Sequence, residues 1–284
     1  MATFTNTATL SYNDTTTVSN TVTGELLDVL SATKTAVRSV YGCNDTVTYL
    51  INLINSGTTA FTGLTLTDNL GAYAFGERTL VPLTYKADSL KYFVNGIPAA
   101  VPTVTSAAPL TVTGITVPAG GNITVAYETA LNEFAPREAG SSIRNTVTAS
   151  GVGIITPLTA EETITAESAP CLMISKSLSP TTVIQNGELT YTFLIQNSGS
   201  AAATVSDNLT VSDTFAPVLC DINVTLDGTP LTAEADYSYV AGLFKTVSGR
   251  ITVPAATYSR NAETGAVIVT PGTAILRVTG TVCS

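Results

Sequence analysis

Apolar and polar residues alternate along most of the chain. Val47, Tyr49, Ile51 and Leu53 share one parity, and Leu189, Tyr191, Phe193 and Ile195 repeat it. A period of two places such residues on one face of a pleated strand. Asn-Ser-Gly at 55–57 and 197–199, and Asn-Gly at 95–96 and 186–187, punctuate these runs as turns do. Many short strands without helical periodicity predict an all-β protein with Ig-like or Greek-key sandwiches. The stretch 24–32 could be read as a short helix, but its counterpart contains Pro170, so strand is expected there too.

The pattern occurs twice. Lys34 lies in SATKTAV and Lys176 in MISKSLS. NDTVTYLINLINSG (44–57) and NGELTYTFLIQNSG (186–199) then align without gaps at the same spacing as the two lysines. LTLTDNL (64–70) matches LTVSDTF (209–215), and GITVPA (114–119) matches RITVPA (250–255). This is a duplicated domain.

A third correspondence joins the start of the chain, residues 1–27, to residues 141–167. Each holds Asn-Thr, alternating apolar residues, a turn and a second Thr-rich strand leading into a lysine strand. The expected order is an N-terminal donor strand or hairpin (1–27), sandwich domain 1 (28–167) and sandwich domain 2 (168–284). Domain 1 receives a closing strand around Asn145 from its own chain. Domain 2 has no such segment after it, while the N-terminus carries a spare.

An unpaired sheet edge beside an exposed core templates another strand. Phe4, Ala8 and Leu10 would take the places of Ile143, Val147 and Ala149, and Asn6 that of Asn145, in domain 2 of a neighbouring copy. The contact is head to tail, so the expected partner is the chain itself, as a homopolymer. The alternative is that residues 1–27 fold back on their own domain 1.

Composition narrows the function. Charged residues are only 12% of the chain, and the net charge is −9. That balance argues against nucleic acid, which needs clustered Lys and Arg. No apolar run approaches the ~20 residues of a membrane span. With no histidine, neither a Ser-His-Asp nor a Cys-His set exists, and no enzyme, metal or cofactor is expected. The N-terminus has no basic region followed by an apolar core, so it does not read as a signal peptide, which favours deposition on a spore coat.

The four cysteines, Cys43, Cys171, Cys220 and Cys283, show no CxxC spacing. Their even number in a polar β-rich chain favours disulfides over a reduced thiol set. Their layout suggests Cys43–Cys171 across the domain junction and Cys220–Cys283 at the far pole of domain 2, with pairing between subunits as the rival.

Three kinds of polar residue carry core parity. Lys34 aligns with Leu30 and Ala36, Asp68 with Leu64 and Leu66, and Asn145 with Ile143 and Val147. Lys176 aligns with Ile174 and Leu178, Asp213 with Val211 and Phe215, and Asn6 with Phe4 and Ala8. Three polar side chains facing one apolar core are costly unless they meet. Lysine, asparagine and a carboxylic acid form the set needed for a spontaneous isopeptide bond. Burial favours the neutral, nucleophilic amine, and the acid can polarise the amide as ammonia leaves. Lys34 would join Asn145 within domain 1, and Lys176 would join Asn6 of the next subunit. A non-covalent Lys–Asp pair with Asn as hydrogen-bond partner is the alternative.

These residues resemble the bacterial surface-repeat family catalogued as the eleventh domain of unknown function. The resemblance rests on Lys176, the run Asn186-Gly187-Glu188-Leu189-Thr190-Tyr191, Asn197-Ser198-Gly199, Asp213-Thr214-Phe215 and the closing Asn145-Thr146-Val147, which Asn6-Thr7-Ala8 matches. It covers nearly the whole chain. It implies tandem Ig-like domains, sometimes isopeptide-linked, in cell-wall, spore or exported surface proteins with spacer or adhesive roles. The expected function is therefore a structural subunit of an extracellular or spore-surface filament, and the alternative is a monomeric tandem-sandwich adhesin or binding module.

Overall fold

The structure, a computed structural model, describes residues 2–26 and 29–283. The chain opens with four short strands, β1 (Ala2–Asn6), β2 (Thr9–Tyr12), β3 (Thr15–Val18) and β4 (Val22–Leu26). β1 pairs with β4 and β2 with β3, and between them the Ser19 amide donates to the Ala8 carbonyl at 2.8 Å. The four strands are thus one antiparallel ribbon. Its tip turns at Asn13 and Asp14, both left-handed with φ of 45° and 59°. Asn and Asp tolerate that conformation, and such a two-residue turn matches the right-handed twist of the strands.

Phe4 lies opposite Gly24, where a Cβ would come within 2.4 Å of the Phe4 ring. Only glycine lets the ring lie flat across the ribbon. The described ribbon strands pair with no strand of the body, and Phe4, Leu10 and Val22 are 55%, 65% and 56% exposed.

Domain 1 runs through β5 (Leu30–Ala36), β6 (Val40–Tyr41), β7 (Thr46–Asn55) and β8 (Phe61–Asp68). A short hairpin of β9 (Tyr73–Phe75) and β10 (Arg78–Leu80) follows, then β11 (Leu83–Tyr85), β12 (Lys91–Val94) and β13 (Ile97–Pro98). The domain continues with β14 (Thr103–Ala107), β15 (Leu110–Val117), β16 (Asn122–Leu131), β17 (Ser142–Ser150) and β18 (Leu158–Ala166).

One sheet has the order β13-β12-β16-β7-β5, with β11 also on β16; the facing sheet has the order β14-β15-β8-β17-β18-β6. Tyr49, Leu53, Leu64, Ile115, Ile123 and Ile164 fill the space between them, each fully buried. β17 sits between β8 and β18 and turns Ile143, Asn145, Val147 and Ala149 into that core.

Domain 2 begins with β19 (Leu172–Ser179) and β20 (Glu188–Asn197). It continues through β21 (Ser212–Thr214), β22 (Leu219–Leu226), β23 (Thr229–Pro230), β24 (Tyr237–Val240) and β25 (Leu243–Thr246). It ends with β26 (Thr257–Arg260), β27 (Val267–Thr270) and the long β28 (Gly272–Val282). One sheet reads β19-β20-β28-β22-β23, but the facing sheet is only β21-β25-β24, with β26-β27 as a separate pair. The core is a second, separate cluster around Phe193, Phe215, Phe244 and Leu276.

The repeated Asn-Ser-Gly turns do the same work in both domains. Asn55, fully buried, donates to the carbonyls of Thr59 (2.8 Å) and Pro118 (2.9 Å) and accepts from the Gly57 amide (2.9 Å). Asn197, fully buried, donates to Ala201 (2.7 Å) and Pro254 (2.9 Å) and accepts from Gly199 (2.9 Å). One amide thereby satisfies three backbone groups that would otherwise lack partners. Gly199 is needed because a Cβ there would sit 2.3 Å from the Ala169 carbonyl.

Cys43 is bonded to Cys171, joining domain 1 to the start of β19, and Cys220 is bonded to Cys283, tying β22 to the chain just beyond β28. The junction is further held by Arg260, which donates to the Tyr73 hydroxyl at 2.7 Å, and by the Val267 amide, which donates to the Glu133 carbonyl at 2.7 Å.

Candidate functional site

In domain 1 three strands bring the predicted residues together. Lys34 comes from β5, Asp68 from the end of β8 and Asn145 from β17; they are 4%, 2% and 0% exposed. The Lys34 ammonium donates to Asp68 Oδ2, and the Tyr127 hydroxyl of β16 donates to the same oxygen. Asp68 Oδ1 accepts from the Leu70 amide at 2.9 Å. The Asn145 amide spans the far side of the cluster: its Nδ2 donates to Tyr127 Oη at 3.4 Å, and its Oδ1 accepts from the Gly71 amide at 3.2 Å.

Tyr49 and Tyr127 face each other across β7 and β16, with ring centroids 5.7 Å apart. Lys34 Nζ lies 4.9 Å from the Tyr49 centroid and 5.9 Å from that of Tyr127. Among the described residues, the Tyr49 hydroxyl is the one buried side-chain polar atom without a hydrogen-bond partner.

Burial dominates the electrostatics. It pushes the Lys34 ammonium down from 10.5 to about 8, and the Asp68 charge and hydrogen bond offset only part of that. Burial likewise raises the Tyr127 phenol well above its ordinary value, and the adjacent Asp68 charge adds to the rise. A lysine so poised supplies neutral amine near neutral pH, which makes it a nucleophile. The Gly71 amide polarises the Asn145 carbonyl, as an oxyanion-hole donor would. Amine, amide and carboxyl are thus all buried in one cluster around Tyr127.

The sequence placed Tyr49 in the core but did not tie it, Tyr127 or Gly71 to this cluster. The tyrosines were legible in principle: Tyr127 shares inward parity with Ile123 and Val125 and stands directly across from Tyr49.

Domain 2 holds the same pair in an unfinished setting. Lys176 on β19 pairs with Asp213 on β21, and its Nζ lies 4.2 Å from the Tyr191 ring, which corresponds to Tyr49. Val278 faces Tyr191 where Tyr127 faces Tyr49. Asn6, the third expected member, lies in the exposed ribbon.

The core parity expected of Lys176 does not bury it. Its side chain is 41% exposed against 0% for Lys34, and that of Asp213 is 20% exposed against 2% for Asp68. Leu172 is 41% exposed, while its counterpart Leu30 is 7% exposed. The cause is topological. In domain 1, β17 occupies the outer edge of β8; in domain 2, β21 ends its sheet and the corresponding edge is open.

The ribbon repeats the β17 residue pattern in exposed form. Phe4, Asn6, Ala8 and Leu10 are all exposed, whereas Ile143, Asn145, Val147 and Ala149, at the equivalent positions of β17, are all buried. Asn6 pairs across the ribbon with Val22 and Phe4 with Gly24, as Asn145 pairs with Glu162 and Ile143 with Ile164. The fold-back alternative is not adopted, since the described ribbon strands pair only with each other.

No protein-family model matches the chain, and no curated protein does. Solved structures show distant likeness. The major pilin subunit BcpA of Bacillus cereus is 13% identical, over 95% of this chain and 73% of that one, with a TM-score of 0.36. The pilus backbone RrgB of Streptococcus pneumoniae is 14% identical with a TM-score of 0.34, over 85% of this chain; this chain spans 55% of that one. The collagen-binding subdomain of the Enterococcus faecalis surface protein ACE is 7% identical, over 51% of this chain and 99% of that one, with a TM-score of 0.32.

Proposed function

We propose that the chain is the structural subunit of an extracellular or spore-surface fibre, in which the N-terminal ribbon of one copy closes domain 2 of the next. The observation that carries this reading is the paired mismatch between the two repeats. Domain 1 contains a closing hairpin and buries Leu30, Lys34 and Asp68; among the described residues domain 2 pairs β21 with no such hairpin and exposes Leu172 and Lys176. The N-terminal ribbon, antiparallel like β17–β18, stands free with Asn6 in its first strand as Asn145 stands in β17. Strand addition would satisfy the open edge of β21 with backbone hydrogen bonds. It would also bury Phe4, Leu10 and Val22, at about 1.5–3 kcal/mol for each large apolar side chain.

The donor and acceptor surfaces differ, so every added copy presents a new acceptor, and the assembly grows as an open filament unless the rotation between copies closes a ring. Negative-stain microscopy of the purified full chain should show fibres, and the same chain without residues 2–26 should sediment as a soluble monomer. Single rods from the full chain at all concentrations would overturn the fibre and favour a monomeric surface module.

A further inference from the structure

Lys176 and Asp213 repeat two members of the Lys34–Asp68–Asn145 set of domain 1, on a face of domain 2 where the sheet ends at β21. The missing member is an asparagine amide, and the ribbon presents Asn6 at the position that Asn145 holds on β17. Resting on the fibre reading, we propose that ribbon insertion is followed by a covalent step in which Lys176 of one chain forms an amide bond with Asn6 of the next, repeating between chains the reaction for which Lys34, Asp68 and Asn145 are assembled within one.

The step balances without a cofactor. Neutral Lys176 Nζ attacks Asn6 Cγ, forming a C–N bond and a tetrahedral centre. Asp213 takes a proton from the attacking nitrogen and delivers it to the departing nitrogen of the Asn6 amide. The Cγ–Nδ2 bond breaks and ammonia leaves. One amide is exchanged for another, and nothing is oxidised or reduced.

Three observations support the order of insertion first, bond second. In the open domain the Lys176 side chain is 41% exposed, so the site matches the buried setting of Lys34 only once that face is covered. The Lys176 ammonium is already held by Asp213 and lies over the Tyr191 ring, so the nucleophile is positioned before the amide arrives. The counterpart of Tyr127 is Val278, so the carboxyl in domain 2 has no phenol competing for the oxygen that binds the lysine.

The test uses assembled full-length protein, reduced to open the disulfides and boiled in detergent. The expected result is a ladder of multimers on a denaturing gel. Digestion should give a branched peptide joining the Lys176 and Asn6 segments, lighter than their sum by one ammonia. Asn6→Ala and Lys176→Met should still form fibres under the microscope but dissolve to single chains. Asp213→Ala fibres should give a ladder that forms far more slowly. Wild-type fibres that dissolve to single chains of unaltered mass would overturn the bond and leave ribbon insertion standing. A full chain that never assembles would overturn both.

Discussion

A lysine sealed between two tyrosines is costly to keep, and Lys176, half-exposed over Tyr191 with Val278 opposite, costs less. Lys34 and Asp68 are desolvated together, so removing one partner strands a buried charge. In an Asn145→Ala background, where Lys34 remains a free amine, Asp68→Ala should destabilise domain 1 by about 3–5 kcal/mol in denaturant unfolding. Asp213→Ala, beside a half-exposed lysine, should cost less than about 1 kcal/mol in the unassembled chain.

The amide has its own signature. The intact mass of the wild-type chain should fall one ammonia below its sequence mass beyond the loss from the disulfides, and Asn145→Ala should restore it. In that variant Lys34 stays free. Its folded value near 8 lies below the unfolded 10.5, so the unfolded chain holds more protons in this window. Stability should therefore rise with pH from about 8 upward. The rise is best read below pH 10, because the buried phenols of Tyr41, Tyr49 and Tyr127 are raised and pull stability down once the unfolded tyrosines ionise. A chain whose Lys34 is already an amide should show no such rise in thermal melts.

At the level of strands, the exposed ribbon can be altered without touching either core. Phe4→Asp should leave the melting temperature of the monomer unchanged, because Phe4 is 55% exposed there, yet abolish fibres under the microscope. The strands themselves were legible because a period of two survives in β7 and β20, where each inward residue is buried in turn. Lys34, Asp68 and Asn145 were legible for the same reason, since parity alone turns them inward. Two things were hidden. Parity assigns a face but not whether another layer covers it, so the exposure of Lys176 could be read only once β21 was seen to end its sheet. The choice between a strand and a hairpin for residues 1–27 was also hidden: the segment forms a four-strand ribbon, because the pairing of Phe4 with Gly24 and the turn at Asn13-Asp14 join segments that each look like ordinary threonine-rich strands.

At the scale of the molecule, the two disulfides have different tasks. Cys220–Cys283 lies within domain 2, and replacing both residues with serine should lower that domain's stability by about 2–4 kcal/mol in chemical denaturation. Cys43–Cys171 instead crosses the junction. In a fibre joined as proposed, a pull enters each subunit at Asn6 and leaves at Lys176. The shortest covalent route runs along residues 6–43, through the disulfide, and on from Cys171 to Lys176. Residues 44–170 and everything beyond Lys176 hang beside that route. Stretching single fibres with and without a thiol reductant should reveal this: the reduced fibre should pay out more chain, because in the oxidised one tension runs only through residues 6–43 and 171–176 and bypasses residues 44–170.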